Sequence, residues 1–321
     1  MQPRLELIDG HALAYRMFFA LPLEAFTTDE GEPTNATFGF TRTLIERLFD
    51  DDPPQYFAVS FDLGRTFRDD LYEEYKGTRE KMPDELRLQI DRIKEVVRAF
   101  NIPILELEGY EADDVLGTVA AQANEQDVDA YIITGDRDLL QLVNENTLVQ
   151  LPPRRGSQQP EVYDIPDVVD YFGVAPSQVV DWKAMVGDKS DNIPGVRGVG
   201  EKTATRLLQE FGSLEGVYEN LDDIKGALHK KLVDDRDNAY LSYELARIVT
   251  DAPIELDLEA CESQDFDVSV VLEMFRDLEF RTLTRQLLEH MPDAPAPSDI
   301  SEQPPTETRL VRTEEALQEL V

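Results

Sequence analysis

The sequence predicts an α/β chain in which a mostly parallel sheet flanked by helices is followed by a smaller helical domain. Three observations predict it. Short β-type runs alternate with longer helical patterns through the first half, which is how strand–helix–strand units read. Between the second and third runs Leu86, Ile90, Ile93 and Val97 recur at intervals of four, three and four, one face of an amphipathic helix able to cover a sheet. After about residue 165 strand signals fade into short helical patterns joined by Gly, Pro and Asp turns.

In order, the runs are residues 4–9, 55–62, 102–107, 129–136 and 147–151. The third leads into a helix whose apolar positions are Val115, Leu116, Val119 and Ala123. Residues 1–170 are therefore assigned to the sheet domain and 171–290 to the helical one. Residues 291–308 carry prolines 292, 295, 297, 304 and 305 among Ser, Asp, Glu and Ala, a composition that reads as a linker. Beyond it, residues 309–312 can begin a strand, and Thr313 can cap a helix bearing Ala316, Leu317, Leu320 and Val321. The chain thus stops inside a new element.

Sixty-six acids against 31 basic residues give 321 residues a formal charge of −35, which argues against a generic DNA-coating or anionic-membrane protein. The lone Cys261 forms no internal disulfide, and one thiol with three scattered histidines builds no zinc site. A reducing cytoplasm fits. No run approaches the roughly 20 apolar residues that span a bilayer, and no signal peptide is evident.

The acids are not spread evenly. Asp9 closes the first run, Asp62 the second and Asp136 the fourth, with Asp138 two residues on, while Glu111, Asp113 and Asp114 open the helix after the third. In an open α/β sheet the carboxyl ends of strands line the ligand crevice. Capping and dipole compensation account for one or two acids at a helix start, not for three beside three strand-end aspartates. Crowded carboxylates need cations among them. With only oxygen donors on offer, hard ions, Mg2+ or Mn2+, are expected.

A later cluster, GDKSDN, sets Asp188 and Asp191 three apart, so that on a helical turn both could hold one ion. The following IPGVRGVGEKTA places Gly195, Gly198 and Gly200 in a turn whose amides and next helix N-terminus could approach a phosphate.

These residues resemble a known family, the 5′ nuclease (5′-3′ exonuclease) domains of bacterial DNA polymerase I within the flap endonuclease superfamily. The matching segments are LIDGHALAYRMFFAL, FRDDLYEEYKGTR, GYEADDVLGTVA, TGDRDLLQLV and GDKSDNIPGVRGVGEKTA, in family order across residues 4–290. The resemblance implies a Rossmann-like (PIN-like) core with a helical arch at about 63–82, then a helix-hairpin-helix DNA-binding domain with its hairpin at about 187–210. It implies metal at Asp9, Asp62, Glu111, Asp113, Asp114, Asp136, Asp138, Asp188 and Asp191, two Mg2+ or Mn2+ in all, and K+ at the glycine hairpin. It further implies a monomeric enzyme of the bacterial cytoplasm and nucleoid that acts on DNA with a 5′ flap, nick or 5′ end. The tail resembles the start of a 3′-5′ exonuclease-like domain, so polymerase and exonuclease-like domains would share the full-length chain.

Nine carboxylates, two divalent ions and a phosphodiester still sum to a strongly anionic site, so basic groups must help receive substrate. If residues 68–79 are helical, Arg68, Tyr72, Tyr75 and Arg79 share a face with Lys76 at its edge. Lys76 and Arg79 are expected to stabilise the scissile phosphate, and Tyr72 and Tyr75 to stack on unpaired bases. Tyr15 and Arg16 beside Asp9, and Lys189, Arg197 and Lys202 on the hairpin, complete the expected DNA contacts, with core packing the equal alternative for Tyr15. The rival readings are a catalytically silent module binding branched DNA, a PIN-like ribonuclease, and acids that only solubilise the surface, the last of which explains the bulk composition but not the acids at strand ends. Retention of every acid counts against the first, because uncompensated carboxylates only destabilise a fold. The glycine hairpin and the YKGTR segment favour DNA over the second.

Overall fold

A computed structural model describes residues 2–153 and 159–292; the expected tail element at 309–321 and all but the first two residues of the expected linker lie outside them. The chain runs β1 (Arg4–Asp9), α1 (Gly10–Ala20), α2 (Asn35–Leu48), β2 (Tyr56–Ser60), α3 (Phe67–Leu71), α4 (Asp84–Ala99), β3 (Ile104–Leu105), α5 (Ala112–Glu125), β4 (Asp129–Ile133), β5 (Thr147–Leu151) and β6 (Glu161–Tyr163). Helices follow: α6 (Ile165–Phe172), α7 (Val179–Val186), α8 (Glu201–Phe211), α9 (Leu214–Glu219), α10 (Gly226–Asp234), α11 (Arg236–Ala246), α12 (Val268–Asp277) and α13 (Arg281–His290).

The sheet has the order β3-β2-β1-β4-β5-β6, parallel except for β6, which joins β5 antiparallel. Its three residues follow the undescribed segment 154–158, and so short a run carries no period that the sequence could advertise. The strand order reverses between β1 and β4, the point at which an open sheet leaves a crevice beyond its carboxyl ends. Ile8 stands level with Ile133 and Asp9 with Ser60, so the segments leaving β1, β2 and β4 emerge side by side.

Leu5 and Leu7 of β1 face a layer made by α5, where Val115, Leu116, Val119 and Ala123 are buried. On the opposite face Ile8, Phe57 and Val59 pack with α2 and α4, the latter burying Leu86, Ile90, Ile93 and Val97 as its period requires. The same core takes in Val271, Phe275, Leu283 and Leu287. This corrects the extension of the helical domain to residue 290: α12 and α13 return to the sheet domain. Residues 248–263 form the return path, with Phe57 N–H donating to the Cys261 carbonyl. The other helices, α7 to α11, bury a separate apolar cluster around Leu207, Leu208, Val217 and Leu232.

The continuous arch helix is also corrected. After α3 the backbone at Tyr72 is extended, and Lys76 adopts φ +53°. Tertiary contacts outweigh helical propensity here, because Tyr75 is drawn into a cluster with Val180, Ile193 and Leu245 and Lys76 N–H donates to the Asp191 carbonyl. The shared basic face deduced from helical spacing therefore does not exist.

Candidate active site

The carboxyl ends of β1, β2 and β4 and the first turn of α5 open on one cavity of about 1030 Å³, lined among others by Asp9, Tyr15, Asp62, Glu111, Asp113, Asp136, Asp138 and Asp188. Asp9 caps α1, accepting from Ala12 N–H at 2.9 Å and from the Thr134 hydroxyl at 2.8 Å. Asp62 accepts from Ala112 N–H at 2.8 Å, and its other oxygen lies 3.3 Å from His11 Nδ1. Asp136 accepts from Asp138 N–H. Backbone amides, with the Thr134 and His11 side chains, thus fix three acids at the cavity.

Their electrostatics divide. Burial pushes the Asp9 carboxyl up to about 6, reinforced by Asp62 and Asp136 and opposed by its two hydrogen bonds. Burial, then Asp136, raises Asp138 to about 7 despite Lys183. Asp113 is raised well above the carboxylate range by burial and by Asp136, Asp9 and Glu111. Burial acts the same way on Asp62 and Asp188, but the His11 and Ala112 hydrogen bonds hold the first at about 2, and Lys183 with Ser190 holds the second at about 2.

Cations of the chain stand among the acids. Lys76 Nζ is 2.7 Å from Glu111 Oε1, Arg79 donates to Asp191 Oδ1 at 2.5 Å, and Lys183 bonds both Asp138 and Asp188, the latter at 2.8 Å. Among the described residues, no three acids or imidazoles close around one point as a ready-made cage. The donor set nonetheless fits hard divalent ions: it is all oxygen, and the carboxyls raised by burial and by neighbouring acids sit in a concentration of negative charge that such ions would neutralise.

Several expected roles are corrected. Asp114 does not face the cavity; it is fully buried, bonded by Arg68 Nη1 at 2.6 Å and Nη2 at 2.8 Å and by the amides of Glu111 and Val249. Its lone pairs are spent, which removes it as a metal ligand. Arg68 is buried in that pair and also donates to the carbonyls of Leu245 and Arg247, so it is no DNA contact. Tyr75 is 6% exposed with its hydroxyl on Glu111, and no base can stack on it. Tyr72 remains half-exposed, near Tyr75 in the same cluster. Asp188 and Asp191 lie not on a helical turn but in a loop after α7, bridged from Asp188 to Ile193, and each has its own cation.

At the hairpin between α7 and α8, Gly195 N–H donates to Ser242 Oγ, and a Cβ there would lie 2.5 Å from Gly187 N. It is a backbone crossing, so its amide cannot serve a phosphate. Gly198 at φ +74° offers its carbonyl to Lys231, and Gly200 is the N-cap of α8 with open space around it. Lys189, Arg197 and Lys202 are exposed on this surface, and Arg16 is exposed beside half-buried Tyr15. Sequence reasoning missed His11 and Lys183. His11 could have been noticed two residues after Asp9, and Lys183 as the only basic residue in a mostly apolar helix ending at the Asp188 loop.

Two family models match consecutive parts of the chain: the 5′-3′ exonuclease N-terminal resolvase-like domain over residues 4–173, and the 5′-3′ exonuclease C-terminal SAM fold over 174–269. The chain is 47% identical over 304 residues to DNA polymerase I of Chloroflexus aurantiacus, covering 94% of the chain and 32% of that protein. It is 44% identical over 293 residues to DNA polymerase I of Bacillus subtilis, covering 91% and 33%. The chain spans about a third of the length of these relatives. In fold it is similar to the T5 D15 protein co-crystallised with metal ions, with TM-score 0.62, 21% identity and coverage of 86% of this chain and 98% of that one. The catalytic core of Rad2 in complex with DNA gives TM-score 0.58, 18% identity and coverage of 91% and 92%.

Proposed function

The chain belongs to the 5′-3′ exonuclease family, and from that premise we propose that it hydrolyses phosphodiester bonds at 5′ ends and 5′ flaps of DNA with two divalent ions, Mg2+ or Mn2+, as the nuclease module of a longer polymerase chain. The observation that carries this reading is the set of carboxylates at the strand-order reversal, three of them raised by burial and by neighbouring acids, Asp136 among them in each case. Asp9, Asp62, Glu111, Asp113, Asp136, Asp138 and Asp188 would hold the ions. When bound, the ions neutralise the scissile phosphate and favour the charge that develops on attacking and leaving oxygens.

The chain's own residues do the rest. Lys76, Arg79 and Lys183 pair with Glu111, Asp191, Asp138 and Asp188; with Glu111, Asp138 and Asp188 holding divalent ions, Lys76 and Lys183 would be free to meet the phosphate and, with Arg79, stabilise its transition state. Asp191 positions Arg79. Tyr15 on α1 presents a ring at the cavity edge for a base near the cleavage point. The amides of exposed Gly198 and Gly200 before α8, with Lys189, Arg197 and Lys202, receive duplex phosphates without reading sequence. On the resemblance alone, K+ joins that hairpin, and polymerase and 3′-5′ exonuclease-like domains share the full chain. End-labelled flap, nicked and single-stranded DNA, incubated with and without Mg2+, test the proposal: cleavage of the flap only with Mg2+ is expected, and no Mg2+-dependent cleavage of any substrate would sink it.

A further inference from the structure

Four cations line the acid cavity, and three are committed: Lys76 to Glu111, Arg79 to Asp191, Lys183 to Asp138 and Asp188. The fourth is Arg137. It lies between Asp136 and Asp138 in sequence and is exposed, yet among the described residues no carboxylate comes within ion-pair distance of it. Instead its guanidinium carbon sits 5.2 Å from the centroid of the Tyr171 ring. Tyr171 meets Phe172 edge-on at 4.9 Å, Phe172 meets Trp182 at 5.1 Å, and the Trp182 indole donates to Thr205 of α8. An aromatic wall therefore runs from the acid centre to the hairpin, with one unpaired arginine laid on its cavity end.

A guanidinium resting on a ring keeps its N–H edges free for an anion while its rotamers are already restricted, so little order remains to be imposed on binding. Beyond Tyr171 a second cavity is lined by Asp167 and Asp170, which would repel a phosphate, so the tyrosine marks the edge of the usable path. Resting on the nuclease reading above, we propose that Arg137, seated on Tyr171, is a positioning residue that grips a DNA backbone phosphate on the wall between the acid centre and α8. Its task is to hold the substrate across the cleft rather than to assist bond breaking.

The test uses the 321-residue chain and a 5′-flap DNA. Binding is followed in Ca2+ across a KCl series, and single-turnover cleavage in Mg2+ across enzyme concentration. Arg137→Ala should weaken binding by about tenfold or more, as loss of a charge-assisted hydrogen bond does. Its plot of log affinity against log salt should flatten by about 0.9, the signature of one lost phosphate contact. The loss should fall on the half-saturating enzyme concentration more than on the saturated rate. Arg137→Lys should keep the slope and lose part of the affinity, since an ammonium keeps the charge but neither forks nor stacks. Tyr171→Leu should do the same through the lost seat. Equal affinity and slope for wild type and Arg137→Ala would reduce Arg137 to a solvated arginine, and a slower saturated rate at unchanged affinity would place it in the chemistry; either overturns the proposal. Wild type that neither binds nor cleaves the flap would overturn the nuclease reading with it.

Discussion

Asp113 and Asp114 are neighbours in the first turn of α5 and live in opposite surroundings. Asp114 faces the core, where four donors from Arg68, Glu111 and Val249 use both its oxygens. Asp113 faces the cleft, receives no hydrogen bond from the described residues, and has its carboxyl raised by burial and by Asp136, Asp9 and Glu111. What an acid can do is set by whether its lone pairs are already spent. The region behind the cleft is saturated and holds the fold together, tying α3 to the end of α11 through Arg68. The region in front is left incomplete, and the fold tolerates its repulsion only with cations interposed.

The largest effects should come from breaking that contrast one residue at a time. Asp114→Ala leaves Arg68 buried and unpaired, and should lower unfolding free energy by about 3–5 kcal/mol, read from a urea titration. Asp113→Asn removes a repelled charge instead; the metal-free protein should hold its urea midpoint or gain, while Mg2+-dependent cleavage falls at least about 100-fold, beyond what losing an outer-shell partner costs. Flap binding in Ca2+ should survive, because the proposed duplex contacts lie at the hairpin. If Asp114→Ala proved as stable as wild type and as inactive as Asp113→Asn, the division between the two regions would be gone.

Much of this was legible in the sequence, and the exceptions share a cause. The strands at 4–9 and 147–151 declare themselves because their apolar runs are local, and the acids at strand ends follow from chain order alone. That Asp114 is structural depends on Arg68 in another element and on backbone groups near residues 245–249, contacts that no local pattern encodes. The same holds for Tyr75, whose helical spacing from Arg68 and Arg79 was real but lost to burial against Val180 and Leu245. Gly195 looked like its hairpin neighbours until the crossing with Gly187 showed why a side chain is excluded.

A second, smaller effect concerns pH and metal. Asp9 at about 6 and Asp138 at about 7 both lie above the ordinary 3.8, so between about pH 4 and 7 the folded chain binds more protons than the unfolded one. Stability of the metal-free protein should therefore fall as pH rises through that window, each raised group contributing at most about 1.4 kcal/mol for every pH unit that separates its folded and unfolded titration. Asp62 and Asp188, held at about 2, act oppositely, but their contribution is lost only as pH falls below about 4. Melting in EDTA should accordingly be higher at pH 5.5 than at pH 8. Millimolar Mg2+ should erase the difference by binding the ionised acids, and Asp138→Asn should shrink it. A metal-free melting temperature that climbs from pH 5.5 to 8 would mean the cleft is not strained by its own charge.

The smallest expected effect is on salt dependence, and it asks how many cations are free to meet DNA. Lys76, Arg79 and Lys183 are neutralised by cleft acids, so their turn toward a phosphate exchanges one internal pairing for another. Counterions leave DNA chiefly where unspent cations arrive, such as Lys189 and Lys202 at the hairpin and Arg137 on the aromatic wall. A protein making 6–10 phosphate contacts loses about 10³–10⁵ in affinity between 50 and 200 mM salt. Here the log–log slope should be no steeper than about 3, because few contacts are made with uncommitted charge. The overall charge of −35 works in the same direction, since its repulsion of DNA is screened as the Debye length falls from about 10 Å at 0.1 M to about 3 Å at 1 M. Flap cleavage at saturating enzyme should thus persist toward 1 M KCl. A slope of 6 or more would show that the cleft cations reach DNA without first leaving their acids, and the picture of a cleft neutralised from within would have to be abandoned.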